Sequence, residues 1–258
     1  MQYSHIIEDM TWSYSRITAY ENCQYRFYLK YIKKTKGVRH FFSDYGSFMH
    51  LIIQKYLIGE LKKEELAGYY LMNFRRNIVG KAPSQKIFNS YFQQGLIYLK
   101  NIAPIKEEII GVEKEVSFNL RGREFIGYID KVSWNNGIII TDNKSRSLKP
   151  RSNRKKPTKS DIELDEYLRQ LYIYSIPIEK EFHELPKHLV FNCFRTQTEI
   201  SEPFNIETYE QTKQWAWNTI EKIANEDKWK PDVDWFRCQH LCDVCNQCEY
   251  YKMFGEEK

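Results

Sequence analysis

The feature that most constrains this fold is a run of three isoleucines at 138–140, which a threonine separates from the acidic residue Asp142. Successive side chains on a strand point to opposite faces, so an unbroken apolar run predicts a strand covered on both faces. A second run, at 125–132, is rich in β-branched and aromatic residues, and the Asn-Asn-Gly sequence at 135–137 tolerates the positive φ angles of a tight turn. The chain is therefore predicted to fold around a buried antiparallel hairpin.

The hairpin brings two acidic side chains together. Pairing through a turn near Asn136 places Asp130 opposite Asp142, to within one residue, with Cβ atoms about 5 Å apart. Lys144 follows on the same face of the strand as Asp142. Two carboxylates this close repel each other unless one is protonated or a cation lies between them. Oxygen ligands with open positions suit Mg²⁺ or Mn²⁺, so we predict a divalent-metal site rather than a solvated strand end.

Length and composition are those of a folded globular protein. The 258 residues are 42% hydrophobic and 28% charged, which is ordinary for a soluble domain. No apolar run approaches the roughly 20 residues that cross a bilayer, and the N-terminal sequence lacks a charged segment followed by an apolar one. The expected location is the cytoplasm, either bacterial or, for a phage-encoded protein, that of the host.

A basic segment follows the predicted metal site. Residues 144–159 contain eight lysines and arginines, two prolines and no acid, a composition that cannot form a core and predicts a mobile loop. A solvated surface loop is the simpler interpretation. Because the segment begins at the predicted metal site, where a phosphate backbone needs counter-charge, contact with nucleic acid is favoured.

The rest of the chain supplies a scaffold of helices and strands. Alternation predicts a strand at 109–120, and a further apolar strand is predicted at 188–194. Helical patterns and capping residues occur at 12–34, 44–59, 64–78, 85–102 and 161–176. The order predicts an α/β domain with a mixed central sheet flanked by helices. We expect one domain, 1–258, with a helical N-terminal part (1–105), a sheet core (106–200) and a C-terminal helix and cysteine region (201–258).

Five short motifs in order carry a resemblance to a known family. They are GSFMH ending at His50, EVSF beginning at Glu115, GYID ending at Asp130, DNK ending at Lys144, and QLYIY at 170–174. This set resembles the RecB-like branch of the PD-(D/E)XK nuclease superfamily, and the stretch at 13–32 resembles the start of that domain. The resemblance spans Ser13 to the C-terminal cysteines and implies a restriction-endonuclease-like core.

The resemblance also implies roles for individual residues. The implied metal ligands are His50, Asp130, Asp142 and the backbone carbonyl of Asn143. Lys144 matches the catalytic lysine, and Gln170 and Tyr174, which share a helix face, match the family's helical motif beside the site. Glu115 matches its strand glutamate, although Glu113 lies close by. On the residues alone, His50, Gln170 and Tyr174 are more simply packing or surface residues.

Cysteines cluster at the C-terminus. Four of them, Cys238, Cys242, Cys245 and Cys248, lie within eleven residues, and Cys23 lies in the N-terminal helix. Cytosolic cysteines this dense predict metal ligands rather than disulfides. Four thiolates can hold tetrahedral zinc or an iron–sulfur cluster. The remaining cysteine, Cys193, is predicted to be core.

Iron-bearing members of the resembled family join one N-terminal cysteine to three near the C-terminus, so the resemblance implies a metal staple formed by Cys23 and three of the late cysteines. The family's usual C-x₂-C-x₅-C spacing is not kept, because Tyr251 or Phe254 stands where the last cysteine falls. We favour a [4Fe-4S] cluster over Zn²⁺, with Cys238 as the spare thiol because it is farthest from the tight C-x₂-C-x₂-C run.

Three functions are compatible with these features. The favoured one is a Mg²⁺- or Mn²⁺-dependent DNA exonuclease acting on linear ends or single strands, in recombination, repair or phage DNA metabolism. The alternatives are a structure-selective endonuclease and a catalytically silent DNA-binding module, which the complete set of Asp130, Asp142 and Lys144 disfavours. No G-x-x-x-x-G-K-[ST] motif is present, so any unwinding needs a helicase or recombination partner. The aromatic stretch 215–236 predicts packing under the C-terminal region, with a DNA-stacking or partner face as the alternative.

Overall fold

The computed structural model describes residues 3–256, and its centre is a five-stranded mixed sheet. The strands lie side by side in chain order, with β3 and β4 parallel and every other neighbouring pair antiparallel. Their bounds are β1 Glu108–Leu120, β2 Arg123–Trp134, β3 Ile138–Asn143, β4 His188–Cys193 and β5 Thr198–Pro203. The predicted α/β class with a mixed, helix-flanked sheet is confirmed.

Most helices precede the sheet in the chain. Those of the N-terminal part are α1 Ser4–Glu8, α2 Tyr14–Asn22, α3 Gln24–Phe27 with the π-helical turn Tyr28–Ile32, α4 Phe41–Leu57, α5 Lys63–Asn77 and α6 Gln85–Asn101. Those that follow β3 are α7 Lys159–Phe182, α8 Ile206–Ala224, α9 Trp235–His240, the 3₁₀ turn Cys245–Gln247 and α10 Glu249–Glu256. Within residues 3–256, no helix combines the length and apolar character that spanning a membrane requires.

The β2–β3 hairpin forms as its sequence predicts. Asn136 and Gly137 have φ angles of 52° and 137°, the positive values that close the turn. Ile138 and Ile140 are fully buried against the main core, and Ile139 on the opposite face is partly covered. The hairpin therefore lies at the centre of the sheet, with helices above and below it.

Helix α7 is the crossover between the parallel strands β3 and β4, which a hairpin cannot connect. Its first turn is closed by a reciprocal cap, because the Thr158 hydroxyl accepts from the Asp161 N–H and the Asp161 carboxylate accepts from the Thr158 N–H. It ends at His183, which adopts the left-handed conformation. This helix brings Gln170 and Tyr174 to the sheet.

Two apolar cores lie on the sheet. The larger contains residues of α1–α3, α7, α8 and the strands, and the smaller contains α4, α5 and α6 together with Phe194. The sheet is thus covered on both faces, as the isoleucine run requires. Helix α4, which belongs to the smaller core, carries His50.

One strand is absent from the sequence prediction. β5 pairs antiparallel with β4 at the edge of the sheet, but in its sequence TEISEP only Ile200 is buried. An edge strand with one covered residue needs no apolar run, so neither alternation nor apolar length reveals it.

Candidate active site

Three acidic residues meet in a row across β1, β2 and β3. The register Lys131–Thr141 and Val132–Ile140, continued by one residue, places Asp130 opposite Asp142, as predicted. The flanking pairs Val112–Lys131 and Lys114–Ile129 place Glu113 opposite Asp130 on the other side. Like charges side by side in a sheet are unfavourable unless something positive lies among them.

His50 supplies a positive neighbour from helix α4. Its Nδ1 lies 3.4 Å from Asp130 Oδ2 and 3.8 Å from Glu113 Oε1, and its Nε2 lies 2.9 Å from the carbonyl oxygen of Asn143. Burial lowers the pKa of His50, but hydrogen bonds to Asp130 and Glu113 outweigh this effect and raise it to about 10. The imidazole thus lies in direct contact with the acidic row, and the carboxylates favour its protonated form.

The carboxylate of Asp142 is buried beside Lys144. The residue is 5% exposed, and burial raises its pKa to about 6, with Lys144 opposing the rise and Asp130 adding to it. Its Oδ2 forms an ion pair with Lys144 Nζ at 2.7 Å. Two buried carboxylates, Asp130 and Asp142, thus lie side by side, an arrangement that nearby positive charge stabilises.

The donor atoms suit a hard divalent cation. Ligand atoms of His50, Glu113 and Asp130 all lie within 4.8 Å of one another, and the Asn143 carbonyl oxygen lies 2.9 Å from His50 Nε2. Asp142, another predicted ligand, is not part of this group, and its Oδ2 is paired with Lys144. Carboxylate and carbonyl oxygens with one imidazole are a ligand set for Mg²⁺ or Mn²⁺. The residues present therefore fit the predicted metal.

Glu113, not Glu115, is the glutamate at this position, which corrects the assignment drawn from the resemblance. Glu115 is exposed and pairs with the exposed Tyr128 farther along β1. Glu113 has a positive φ of 46°, a local irregularity that interrupts the ladder opposite Asp130. A motif matched by sequence spacing does not reveal this irregularity. Glu113 lies two residues before Glu115, so it is the alternative that the sequence offers.

Lys144 is held at the end of β3 by neighbours on α7 and β4. Its Nζ lies beside Asp142 and donates to Gln170 Oε1 at 2.8 Å, and its backbone N–H donates to the Asn192 carbonyl. The Tyr167 ring centroid is 5.5 Å from the same ammonium group. The predicted lysine and Gln170 are thus brought together with the acids.

Tyr174 lies one turn after Gln170, beneath the hairpin. It is 8% exposed, and burial raises its pKa to about 12. A Cβ atom at Gly127 would lie 2.5 Å from Tyr174 Cε1, so only glycine permits β2 to approach this ring so closely. The sequence motif GYID therefore contains both Asp130 of the candidate site and the glycine against which α7 packs.

The basic segment 144–159 is without helix or strand until α7 begins, but it is attached to the protein along much of its length. Leu148 is buried, Arg146 pairs with Glu163, and Arg151 pairs with Asp165 and Glu202. Only part of the predicted loop therefore offers unpaired charge. Its exposed tip consists of Arg154, Lys155 and Lys156.

All five cysteines predicted as cofactor ligands line one small cavity between the chain ends. They are Cys23, Cys238, Cys242, Cys245 and Cys248. Cys23 Sγ accepts backbone N–H groups of Arg26 and Asp232, both at 3.4 Å. Cys193 is buried in β4, as predicted. The sequence spacing predicts that these cysteines cluster, but it does not determine how their sulfurs are grouped.

Comparison with known proteins extends these observations. The family model of the PD-(D/E)XK nuclease superfamily matches residues 11–252. A provisionally assigned exonuclease from Eubacterium rectale has a similar crystal structure, with a TM-score of 0.50, 13% sequence identity, and coverage of 90% of this chain and 86% of the other. The crystal structure of SSO0001 gives a TM-score of 0.28 and 20% identity over 54% of this chain and 59% of the other. No curated protein matches the sequence.

Proposed function

Because the chain belongs to the PD-(D/E)XK nuclease superfamily, we propose that it is a Mg²⁺- or Mn²⁺-dependent DNA exonuclease that hydrolyses phosphodiester bonds. The observation that carries this proposal is that His50, Glu113 and Asp130 bring ligand atoms within 4.8 Å of one another next to the Asp142–Lys144 ion pair. A catalytically silent module has no need to keep two neighbouring carboxylates buried, because their burial is unfavourable without a ligand.

The residues of the site would have separate roles in metal binding and in catalysis. His50, Glu113, Asp130, Asp142 and the Asn143 carbonyl would hold the cation. A bound Mg²⁺ or Mn²⁺ supplies Lewis-acid chemistry, polarising a phosphate oxygen and lowering the pKa of water.

Lys144 would act on the phosphate itself. Its ammonium group, fixed by Asp142 and Gln170, would orient the attacking water or stabilise the negative charge that develops on the phosphate. Gln170 and Tyr174 would position Lys144 and the hairpin rather than take part in bond making. In this reading Glu115 has no role.

The exonuclease form of the proposal is supported by the provisional assignment of the Eubacterium rectale protein and by the exposed basic loop tip, which offers counter-charge for a phosphate backbone. A structure-selective endonuclease remains the second candidate, since a shared fold does not determine the substrate. We place the activity in DNA recombination, repair or phage DNA metabolism, with unwinding supplied by a partner helicase.

The first experiment compares end-labelled linear DNA with closed circular DNA, in Mg²⁺ or in EDTA. We expect metal-dependent loss of the linear substrate only, and Lys144→Ala to lower the rate at least about a thousand-fold while DNA binding stays measurable. Lys149→Ala, an exposed lysine of the same segment, is the matched control and should remain active.

Each alternative gives a different result in this assay. Cleavage of the circular substrate at a similar rate would favour the endonuclease. Cleavage of neither form, with binding intact, would favour the silent module. Normal turnover by Lys144→Ala would contradict the role given to that lysine.

We also propose that the cysteine cavity holds a [4Fe-4S] cluster. Among residues 3–256, no three sulfurs lie within 4.8 Å of one another. Tetrahedral zinc, with bonds near 2.3 Å, brings its four sulfurs to about 3.8 Å apart, whereas a cubane binds each thiolate to a different iron and spaces them more widely. The two N–H groups that point at Cys23 Sγ suit a thiolate ligand.

A [4Fe-4S] cluster needs four of the five thiols. We propose Cys23, Cys242, Cys245 and Cys248 as its ligands. Cys238 is then the spare thiol, because it lies farthest in sequence from the C-x₂-C-x₂-C run.

The iron, sulfide and zinc content of the purified protein identifies the metal. Anaerobically purified protein should be brown and contain about four iron and four sulfide per chain. A colourless sample with one zinc per chain would overturn the cluster proposal and leave the nuclease proposal intact.

A further inference from the structure

A cleft of about 650 Å³ lies among α2, α7 and α8 and is also lined by Arg146 of the basic segment. Its lining includes Tyr14, Arg146, Tyr167, Arg169 and Trp215. A second cleft, of about 590 Å³, also includes Arg169 and Trp215 in its lining and extends to Arg151. These two side chains therefore lie where the clefts meet.

Tyr167 connects the cleft to the active site. Its ring centroid lies 5.5 Å from Lys144 Nζ and 5.7 Å from Arg146 Cζ. The hydroxyl of Tyr14, which is half-buried, donates to the Glu166 carbonyl. The ring of Tyr167 therefore lies between the cleft and Lys144.

Aromatic rings and guanidinium groups are the main functional groups in the lining of the cleft. Arg169 Cζ lies 4.7 Å from the Trp215 ring centroid, and the indole is held in place because its Nε1 donates to Glu21 Oε1 at 2.8 Å. Of the three acids in the lining, Glu21 accepts from this indole, Glu163 is paired with Arg146, and Glu166 is exposed. Among residues 3–256 Arg169 has no acidic partner, so its charge and the aromatic rings are available to a ligand.

We propose that this cleft binds the single-stranded end of the DNA substrate, with bases stacking on Tyr167 and Trp215 and phosphates passing Arg146 and Arg169. The proposal rests on the proposed nuclease function and adds its substrate class. Unpaired bases offer stacking faces to such rings, whereas the bases of a duplex are stacked on one another and cannot. An aromatic residue beside arginine on each side of the path is the usual composition of a single-strand groove.

Trp215 tests the proposal, and Trp217 on the same helix is the matched control, since it contacts Arg121 and does not line either cleft. The substrates are a short fluorescent thymidine oligonucleotide, the same strand in a blunt duplex, and the small chromogenic ester thymidine 5′-p-nitrophenyl phosphate. We expect Trp215→Ala to raise KM for the single strand about ten-fold, leaving kcat and hydrolysis of the small ester unchanged. Trp215→Phe, which keeps a ring, should restore most of the affinity, and Trp217→Ala should behave as the unmodified protein.

Binding of the oligonucleotide is also measured by anisotropy in EDTA, so the cleft is tested even without cleavage. Equal affinity of Trp215→Ala and Trp217→Ala for the single strand would overturn the cleft proposal, as would a parallel loss of single-strand and small-ester hydrolysis by Trp215→Ala and Trp215→Phe. If the unmodified protein hydrolyses none of the substrates with Mg²⁺ or Mn²⁺, the nuclease proposal fails. The anisotropy comparison then still shows whether the cleft binds single-stranded DNA.

Discussion

At the residue scale, the active site is a consequence of strand register. Glu113, Asp130 and Asp142 lie in one row because three neighbouring strands are paired without an intervening shift at that level. Each carboxylate alone is ordinary, but three in a row beside His50 form a site whose charge a divalent cation would neutralise. The structure places Glu113 beside His50 and Asp130, which supports the proposal that it is a ligand.

We expect Glu113→Gln to weaken metal binding and lower metal-dependent cleavage at least about ten-fold, because the amide is uncharged and a poorer ligand. Glu115→Gln, which alters an exposed side chain of the same strand, should leave both unchanged. The measurement is the Mn²⁺ concentration dependence of cleavage of linear DNA. The reverse ranking of the two variants would restore the assignment of Glu115.

A second residue-scale prediction concerns Gly127. Because an added Cβ would lie 2.5 Å from Tyr174 Cε1, Gly127→Ala must displace the buried tyrosine and should lower the free energy of unfolding by about 1–3 kcal/mol. Gly68→Ala is the control, since nothing lies within 4 Å of its added Cβ and alanine favours α5 by about 1 kcal/mol. Urea unfolding measures both, and equal stability of the two variants would contradict the close packing of α7 on β2.

At the element scale, the basic loop is organised by the first turn of α7. The carboxylate of Asp161 accepts from the backbone N–H and the hydroxyl of both Ser152 and Thr158. These hydrogen bonds, the backbone one from Ser152 foremost, hold the pKa of Asp161 well below its usual range. The loop is thus closed at its base, so its tip presents Arg154, Lys155 and Lys156 outward.

Replacing Arg154, Lys155 and Lys156 together by glutamine should weaken DNA binding without lowering the melting temperature, since the side chains are exposed. The slope of log K against log salt should fall by about 2, as expected for the loss of three phosphate contacts to a single strand. Salt titration of DNA binding measures this slope. A control triple variant of the exposed Arg75, Arg76 and Lys81 should keep it, and an unchanged slope in the loop variant would remove the tip from the DNA interface.

At the scale of the whole molecule, the C-terminal segment is tied to the N-terminal helices. The Tyr25 N–H donates to the Lys230 carbonyl, the Val38 N–H donates to the Asp243 carbonyl, and Asp243 forms ion pairs with Arg26 and Lys30. The cysteine cavity lies at this junction.

The same junction reaches the helix that carries His50. The His40 ring, through Nε2, lies 2.8 Å from the Cys242 carbonyl, and His40 caps the start of α4. We therefore expect loss of order in the cysteine segment to disturb the predicted metal site as well as to lower the stability of the protein.

We expect Cys23→Ala to abolish iron incorporation and lower the melting temperature by several degrees, because metal binding contributes to folding where it joins distant segments. Cys193→Ala, in the core of β4, should lose about 1 kcal/mol of stability with its iron content unchanged. Iron content and thermal unfolding are measured on the same samples. Full iron occupancy in Cys23→Ala would exclude that residue as a ligand.

The sequence by itself determined the features that local pattern encodes. The isoleucine run and the Asn-Gly turn specify a buried hairpin, and its register brings Asp130, Asp142 and Lys144 together, because hairpin register follows from turn position and side-chain alternation. Apolar periodicity and caps located α4, α5 and α6 to within a few residues. The stretch predicted at 12–34 is divided into α2, α3 and a π-helical turn, and α7 continues to Phe182.

Only the tertiary structure decided which residues of distant segments lie next to one another. The choice of Glu113 over Glu115 depends on the register between β1 and β2, which places Glu113 opposite Asp130. His50 reaches the acids because α4 packs on the sheet. The short edge strand β5 is stabilised by pairing with β4 rather than by its own composition. The meeting of Trp215 with Arg169 is equally non-local, since it depends on how α8 packs on α7, which no local periodicity encodes.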